Sequence, residues 1–254
     1  MPEGDTVFRA GVRLHAALAG QVLTRCDIRV PTYATVDLTG RHVDEVVSRG
    51  KHLLIRAEDA TIHSHLKMEG RWDVMRTGDR WRRPGWQARI VLETGRMQAV
   101  GFSLGVVEVL TRLSEVKAVG HLGPDLLGAD WDPASAVLNL ARDGSRPIGE
   151  ALLDQRNLAG IGNVYRSEIC FLRGVLPTRP AAETTDLAGM VDLAKRLLEA
   201  NRHRSTRVTT GSSDGARLWA YGRWQRPCLR CGTSIQRGDD LAGRVVFWCP
   251  QCQT

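Results

Sequence analysis

The chain has 254 residues, 43% hydrophobic and 25% charged, which suits one large soluble domain or two ordinary ones. No apolar stretch approaches the roughly 20 residues of a membrane span, and no basic segment followed by an apolar core marks a secretory leader. A cytoplasmic location without membrane contact is therefore expected. Lys plus Arg number 35 against 28 Asp plus Glu, a net charge of +7. That excess favours a polyanionic partner, nucleic acid first, without excluding a merely basic enzyme.

The chain begins Met1-Pro2-Glu3-Gly4. Proline in second place is small enough to let Met1 be trimmed, leaving a secondary amine on a rigid ring. An α-amino group titrates near about 8, so a useful fraction is neutral and nucleophilic. Its attack on a sugar aldehyde carbon gives an iminium that cannot deprotonate, a permanent electron sink for elimination at the neighbouring carbon. Glu3 can move the protons. Four residues alone equally fit a frayed terminus.

Residues 5–19 have helical spacing, with Val7, Gly11, Leu14 and Leu18 on one stripe and Gly20 as a C-terminal cap. A helix starting there would fix the Pro2 amine and turn its positive end toward phosphate. From about 21 to 113 the pattern changes to strands. Cys26, Ile28 and Val30 alternate, and 52–56, 61–66 and 71–75 are short apolar runs. Segments 87–92 and 97–102 flank the turn Glu93-Thr94-Gly95-Arg96. These predict an antiparallel sandwich or barrel. Residues 77–86 are expected to form an exposed loop whose Arg80, Arg82 and Arg83 either touch phosphate or are simply solvated.

Gly123-Pro124-Asp125 opens a transition, and Asp132-Pro133 starts a helix with aspartate as cap and proline in the first turn. Ser145 and Pro147 open another, interrupted at Gly160 and Gly162 and resumed over 164–172. Leu187, Met190, Ala194 and Leu197 mark one more. The Leu158–Asn163 turn has the N–H groups and side-chain amide to hold a phosphate, or is a tight helix connection. Residues 205–217 fit a mobile loop, either a linker or a lid over a bound base.

Four of the six cysteines form two Cys-x-x-Cys pairs, Cys228/Cys231 and Cys249/Cys252, separated by 17 residues. This spacing predicts a closed, structural tetrahedral Zn²⁺ site on a hairpin, one ion per chain, with disulfides disfavoured in the cytoplasm. The hairpin strands are expected at 234–237 and 244–248, with Arg244 within reach of a phosphate. Cys26 and Cys170 are expected to be reduced, buried hydrophobes.

Met1-Pro2-Glu3-Gly4, the Arg49-Gly50-Lys51 turn, the glycine-turn segment 155–168 and the four-cysteine end closing on Cys249-Pro250-Gln251-Cys252-Gln253 together resemble the formamidopyrimidine-DNA glycosylase/endonuclease VIII family of base-excision repair enzymes. The resemblance spans nearly the whole chain in order. It implies an α+β protein with an N-terminal antiparallel β-sandwich catalytic domain (1–122), a helical helix–two-turn–helix domain (123–222) and a zinc finger (223–254). It also implies a bifunctional DNA glycosylase and AP lyase acting through an N-terminal proline Schiff base. The implied partner is damaged DNA, whether duplex, bubble or single-stranded, met by a monomer associated with the nucleoid. By position, Pro2 corresponds to the nucleophile and Glu3 to the acid/base. Lys51 corresponds to the lysine on the phosphates around the lesion, and Asn163 and Arg244 to further phosphate grips. Met68 corresponds to a residue that fills the vacated stack, and His65 to a phosphate contact beside it.

Two departures narrow the branch. The guanine-repair branch begins Pro-Glu-Leu-Pro-Glu and carries an Arg-x-Phe pair that reads the orphaned cytosine. Here the start is Pro-Glu-Gly-Asp-Thr and the matching segment is Phe102-Ser103-Leu104-Gly105. This favours the endonuclease VIII branch and oxidised pyrimidines over 8-oxoguanine. Thr6 also replaces a usual glutamate, with Asp5 one place earlier. The guanine-repair activity and a catalytically silent zinc-finger protein that binds damaged DNA are the alternatives.

Overall fold

The first helix, α1 (Gly4–Leu18), buries Val7, Gly11, Leu14 and Leu18, the stripe set by helical periodicity. It ends at Ala19, one residue before the expected cap, and Gly20 follows at φ +75°. In the computed structural model, which describes residues 1–212 and 214–254, the chain divides into two compact units, Met1–His121 and Leu122–Thr254. Ser213, inside the segment expected to be a linker or lid, lies outside the described residues. None of the described helices is long and apolar enough to cross a membrane.

The first unit holds eight strands, β1 (Arg25–Ile28), β2 (Val43–Arg49), β3 (His52–Ala57), β4 (Ala60–His65), β5 (Arg71–Arg76), β6 (Ala88–Glu93), β7 (Met97–Phe102) and β8 (Val106–Thr111), and then the short helix α2 (Glu115–Val119). They pair antiparallel in two four-stranded sheets, β1-β6-β7-β5 and β2-β3-β4-β8. Leu53, Ile55, Ile62 and Val107 from one sheet pack with Ile28, Ile90, Leu92 and Ala99 from the other, and with Val7, Leu14 and Leu18 of α1. Each fully buried Leu or Ile contributes about 1.5–3 kcal/mol, so this shared core holds α1 in place more firmly than its own propensity does.

The 77–86 segment is not simply exposed. Trp81 meets Phe102 edge-on at 5.8 Å, and its Nε1 donates to Gln98 Oε1 at 2.9 Å. Together with Ala88, Val91 and Val100 these residues make a small second core on the other face of β6 and β7. That face is apolar only where the two strands pair, which a run-by-run reading of the sequence cannot show.

The second unit begins with α3 (Pro133–Ala141), capped as expected by Asp132, whose carboxylate accepts from the Ala134 and Ser135 N–H groups at 3.0 and 3.1 Å. Helices α4 (Ile148–Leu153), α5 (Asn163–Arg173) and α6 (Leu187–Asn201) surround Leu140, Leu152, Ile161, Tyr165, Ile169, Met190 and Leu198. Strands β9 (Gln236–Asp239) and β10 (Val245–Trp248) form the C-terminal hairpin, whose core joins Phe171 to Ala220, Ile235 and Phe247. Neighbouring residues of α5, Cys170 and Phe171, thus belong to two different cores, so this helix carries both. Burial pushes the Cys170 thiol up to about 12, while Cys26 is only partly buried. The fold class matches the α+β arrangement that the sequence implied.

Candidate active site

Glu3 is the N-cap of α1, with extended backbone, and its carbonyl accepts from the N–H groups of Thr6 and Val7 at 2.9 and 3.0 Å. Glu3 and Asp5 are both buried. Asp5 Oδ1 accepts from the Thr6 N–H at 2.7 Å and from its hydroxyl at 3.2 Å. The residue replacing the family's glutamate is therefore paired to the adjacent aspartate. Pro2 stands directly before this turn, at the positive end of a 15-residue helix.

Lys51 sits at the tip of the β2–β3 hairpin. Arg49 pairs with His52 across a two-residue loop in which Gly50 takes φ +57°, the pattern of a type II′ turn. His52 is paired in turn with His65 at the end of β4. The two rings meet edge-on with centroids 4.9 Å apart. The His65 Nδ1 accepts the Lys67 N–H at 2.9 Å, which leaves Nε2–H as the donor of a neutral ring. Burial first, then the charges of Lys67 and Lys51, push His65 down to about 4. Lys67 has φ +52° and Gly70 N–H closes the turn onto Leu66 carbonyl at 2.9 Å. A Cβ at Gly70 would lie 2.4 Å from that carbonyl oxygen. This tight turn presents Met68, 64% exposed.

Behind His65 lies a hydrogen-bonded series that the sequence did not reveal. Glu108 Oε2 is 2.8 Å from His63 Nδ1, and His63 Nε2 is 2.8 Å from His52 Nδ1. The Glu108 carboxylate can only accept, so His63 Nδ1 carries the proton toward it, and between His63 Nε2 and His52 Nδ1 one nitrogen donates and the other accepts. Burial, followed by the neighbouring His65, His63, His121 and Lys67, pushes His52 down to about 3. Only His63 and His65 stand near each other in sequence. His52 and Glu108 join them through strand pairing.

In the second unit, the turn between α4 and α5 is built around Gln155. Its Nε2 donates to the Leu153 and Ile161 carbonyls at 2.7 and 3.0 Å, and its Oε1 accepts from Gly160 N–H at 3.1 Å. Gly160 takes φ +115°, a backbone region that disfavours side chains. The turn delivers Asn163 as the first residue of α5, where Nδ2 donates to the Val245 carbonyl at 2.8 Å. Arg166, fully buried, donates to Asp240 Oδ2 at 2.5 Å, to the Val245 carbonyl at 2.9 Å and to Asn163 Oδ1. Asp240 Oδ1 accepts the Arg244 N–H at 2.8 Å. The structure thus brings Asn163 and Arg244 to one place. Because Asp240 and Arg244 close the β9–β10 turn, Arg244 precedes β10 instead of lying within it, and its exposed guanidinium makes no hydrogen bond or ion pair to the described residues. Arg166 and Asp240 are positioning residues that sequence reasoning missed. The signal was available: an arginine inside the apolar 164–172 run must be buried with a partner.

The sulfur atoms of Cys228, Cys231, Cys249 and Cys252 all lie within 4.8 Å of one another, and all four thiols are free. The Cys228–Cys252 and Cys231–Cys249 separations are 3.9 and 3.5 Å. A tetrahedral ion with metal–sulfur bonds of about 2.3 Å requires about 3.8 Å between sulfurs, so the four side chains can hold one metal ion. Gln253 braces the second pair, accepting the Cys249 N–H at 2.8 Å and donating to the Val175 carbonyl at 2.9 Å. The Phe102-Ser103-Leu104 segment offers no wedge: Phe102 and Leu104 are 0% and 3% exposed and lie in the cores.

The formamidopyrimidine-DNA glycosylase N-terminal domain matches residues 1–102, and the formamidopyrimidine-DNA glycosylase H2TH domain matches residues 122–203. The chain is 58% identical over 260 residues to a probable endonuclease 8 2 of Streptomyces coelicolor, covering 100% of this chain and 94% of that protein. It is 55% identical to the DNA-(apurinic or apyrimidinic site) lyase Nei2 of Mycolicibacterium smegmatis, over 100% and 99% of the two chains. Endonuclease 8 of Escherichia coli is 34% identical over the full length of both. Among solved structures, Lactococcus lactis Fpg in complex with DNA containing an abasic site superposes with a TM-score of 0.83 over 100% of both chains, at 22% identity, a likeness of fold. With both domains matched in order and relatives more than half identical from end to end, the chain belongs to the formamidopyrimidine-DNA glycosylase/endonuclease VIII family.

Proposed function

We propose that this chain is a DNA glycosylase and AP lyase of base-excision repair that removes oxidised pyrimidines. The observation that carries the reading is the buried Glu3 at the N-cap of α1, which seats Pro2 on a rigid helix start. The damaged nucleotide is flipped out. The Pro2 amine, free once Met1 is removed, attacks C1′, and the electrons of the N-glycosidic bond leave with the base. Glu3 protonates the ring oxygen as the sugar opens to the iminium. Loss of a C2′ proton then drives out the 3′ phosphate, and a second elimination drives out the 5′ phosphate.

Lys51, the neutral His65 Nε2–H, Asn163 and Arg244 hold phosphates, and Met68 fills the vacated stack. The four cysteines hold zinc, a cross-link that supplies fold and no chemistry. The protein acts as a monomer in the cytoplasm, on duplex and on unpaired DNA.

Borohydride reduction during reaction with abasic-site DNA tests the proposal. The expected product is a covalent adduct whose peptide maps to Pro2, in protein whose intact mass lacks Met1. Pro2→Gly should keep DNA binding and lose about 10²–10⁴-fold in lyase rate, the scale of one well-placed catalytic group. An adduct on a lysine would overturn the assignment.

A further inference from the structure

The first unit carries a second cationic site that the chemistry above does not use. A cavity of about 560 Å³ is lined by Arg13 of α1, Arg71 of β5, and Arg80 and Arg82 of the 77–86 segment, with Asp73 and Asp79 as its carboxylates. Asp73 is engaged by Arg71 at 2.8 Å and by Arg83 at 3.9 Å. Asp79 accepts the Arg76 N–H at 3.1 Å. Arg13, Arg80 and Arg82 are exposed and make no hydrogen bond, ion pair or ring contact with the described residues. Four guanidinium groups against two carboxylates leave the cavity at +2. Trp81, anchored on Phe102 and Gln98 between Arg80 and Arg82, holds those two arginines on a fixed stretch of backbone.

We infer that this cavity is a phosphodiester-binding site that extends the DNA footprint along α1, an inference resting on DNA as the partner. With Arg71 paired to Asp73, the guanidinium groups of Arg13, Arg80 and Arg82 remain without carboxylate partners among the described residues, and their planar fork matches a phosphate in two-point contact. Arg13 lies nine residues beyond Gly4, the first residue of α1, about 14 Å at 1.5 Å per residue, and the two residues from Pro2 to Gly4 add up to about 7 Å. That is about four to six base steps at 3.4 Å each, so the phosphate bound there lies outside the lesion's own contacts.

The test uses the full chain with Arg13→Ser, Arg80→Ser and Arg82→Ser combined, changes at exposed, unpaired side chains. On long undamaged duplex, the slope of log affinity against log salt should become shallower by about 0.9, the loss of one phosphate contact. On duplex bearing one abasic-site analogue, phosphate ethylation about five nucleotides from the lesion should weaken binding of the unaltered protein and leave the variant indifferent. An unchanged slope and an unchanged ethylation pattern would refute the site. So would a cavity that instead captures polyglutamate, with DNA binding unaffected, because the partner would then be an acidic protein segment. Unaltered protein that binds no DNA at any salt would overturn the repair reading itself, a different result from either.

Discussion

A histidine near neutral pH is normally poised between two charge states, but His52 and His65 are held neutral by burial and by the cations around them. Both rings titrate below their ordinary 6.5 when folded, at about 3 and about 4. The unfolded chain therefore binds more protons in the window between. Their contribution to stability is full above about pH 6.5 and declines as pH falls toward 4 and then 3. For His52 the whole effect is on the order of a few kcal/mol. Urea unfolding at pH 7.5 and 4.5 should show the decline, and His52→Gln should flatten it relative to the unaltered chain. If the variant keeps the full difference, other groups carry it. Arg244 offers a separate test. Its guanidinium projects from the β9–β10 turn without a partner among the described residues, so Arg244→Ala should leave the fold unchanged. It should weaken binding about equally on every sequence and lower the salt slope by about one. An unaltered slope would remove Arg244 from the DNA contacts.

The C-terminal hairpin shows how an element can be legible while its attachment is not. Two Cys-x-x-Cys pairs are visible in a line of sequence because metal ligation needs those residue types at that spacing. What fastens the hairpin to α5 is Arg166, bonded to Asp240 and Val245 across more than 70 residues and to Asn163 within its own helix. Breaking one partner of such a buried pair costs about 3–5 kcal/mol. The same limit recurs elsewhere. The α1 stripe and the Asp132 cap are local patterns and could be read in advance. The Glu108–His63–His52 series, the Trp81 anchor and the burial of Phe102 and Leu104 arise from strand pairing between distant segments, and could not. The hairpin also predicts its own failure. Cys249→Ser removes a buried ligand while keeping the backbone N–H that Gln253 braces, so metal content should fall from one ion per chain and DNA affinity should drop. The Leu140–Ile169–Leu198 core and the first unit do not share these contacts and should keep their unfolding transitions. Metal analysis beside thermal unfolding checks both halves, and full metal content in the variant would refute the four-cysteine ligand set.

At the scale of the whole molecule, the question is which lesion the protein selects, and the answer rests on what the stack-filling residues can do. An enzyme that excises oxidised guanine must accept cytosine opposite and reject adenine, since repair opposite adenine would fix a mutation. An arginine in the vacated stack can do this, because two-point contacts to a base edge discriminate by about 1–3 kcal/mol. Here the corresponding segment runs from Phe102 to Gly105 without an arginine, and its two apolar side chains are committed to the cores. Ser103, held at φ +48°, has one hydroxyl to offer. Met68 presents an exposed apolar side chain, able to prop the duplex open but blind to which base is orphaned. Cleavage of thymine glycol or 5-hydroxyuracil should therefore exceed that of 8-oxoguanine and depend little on the opposite base. One wedge also holds an emptied stack poorly, so single-stranded and bubble substrates, which have no stack to restore, should be processed comparatively well. Single-turnover rates on matched oligonucleotides measure each of these. Strong excision of 8-oxoguanine opposite cytosine, with adenine rejected, would place the chain with the guanine-repair enzymes, and the cytosine would then have to be read by some residue other than those between Phe102 and Gly105.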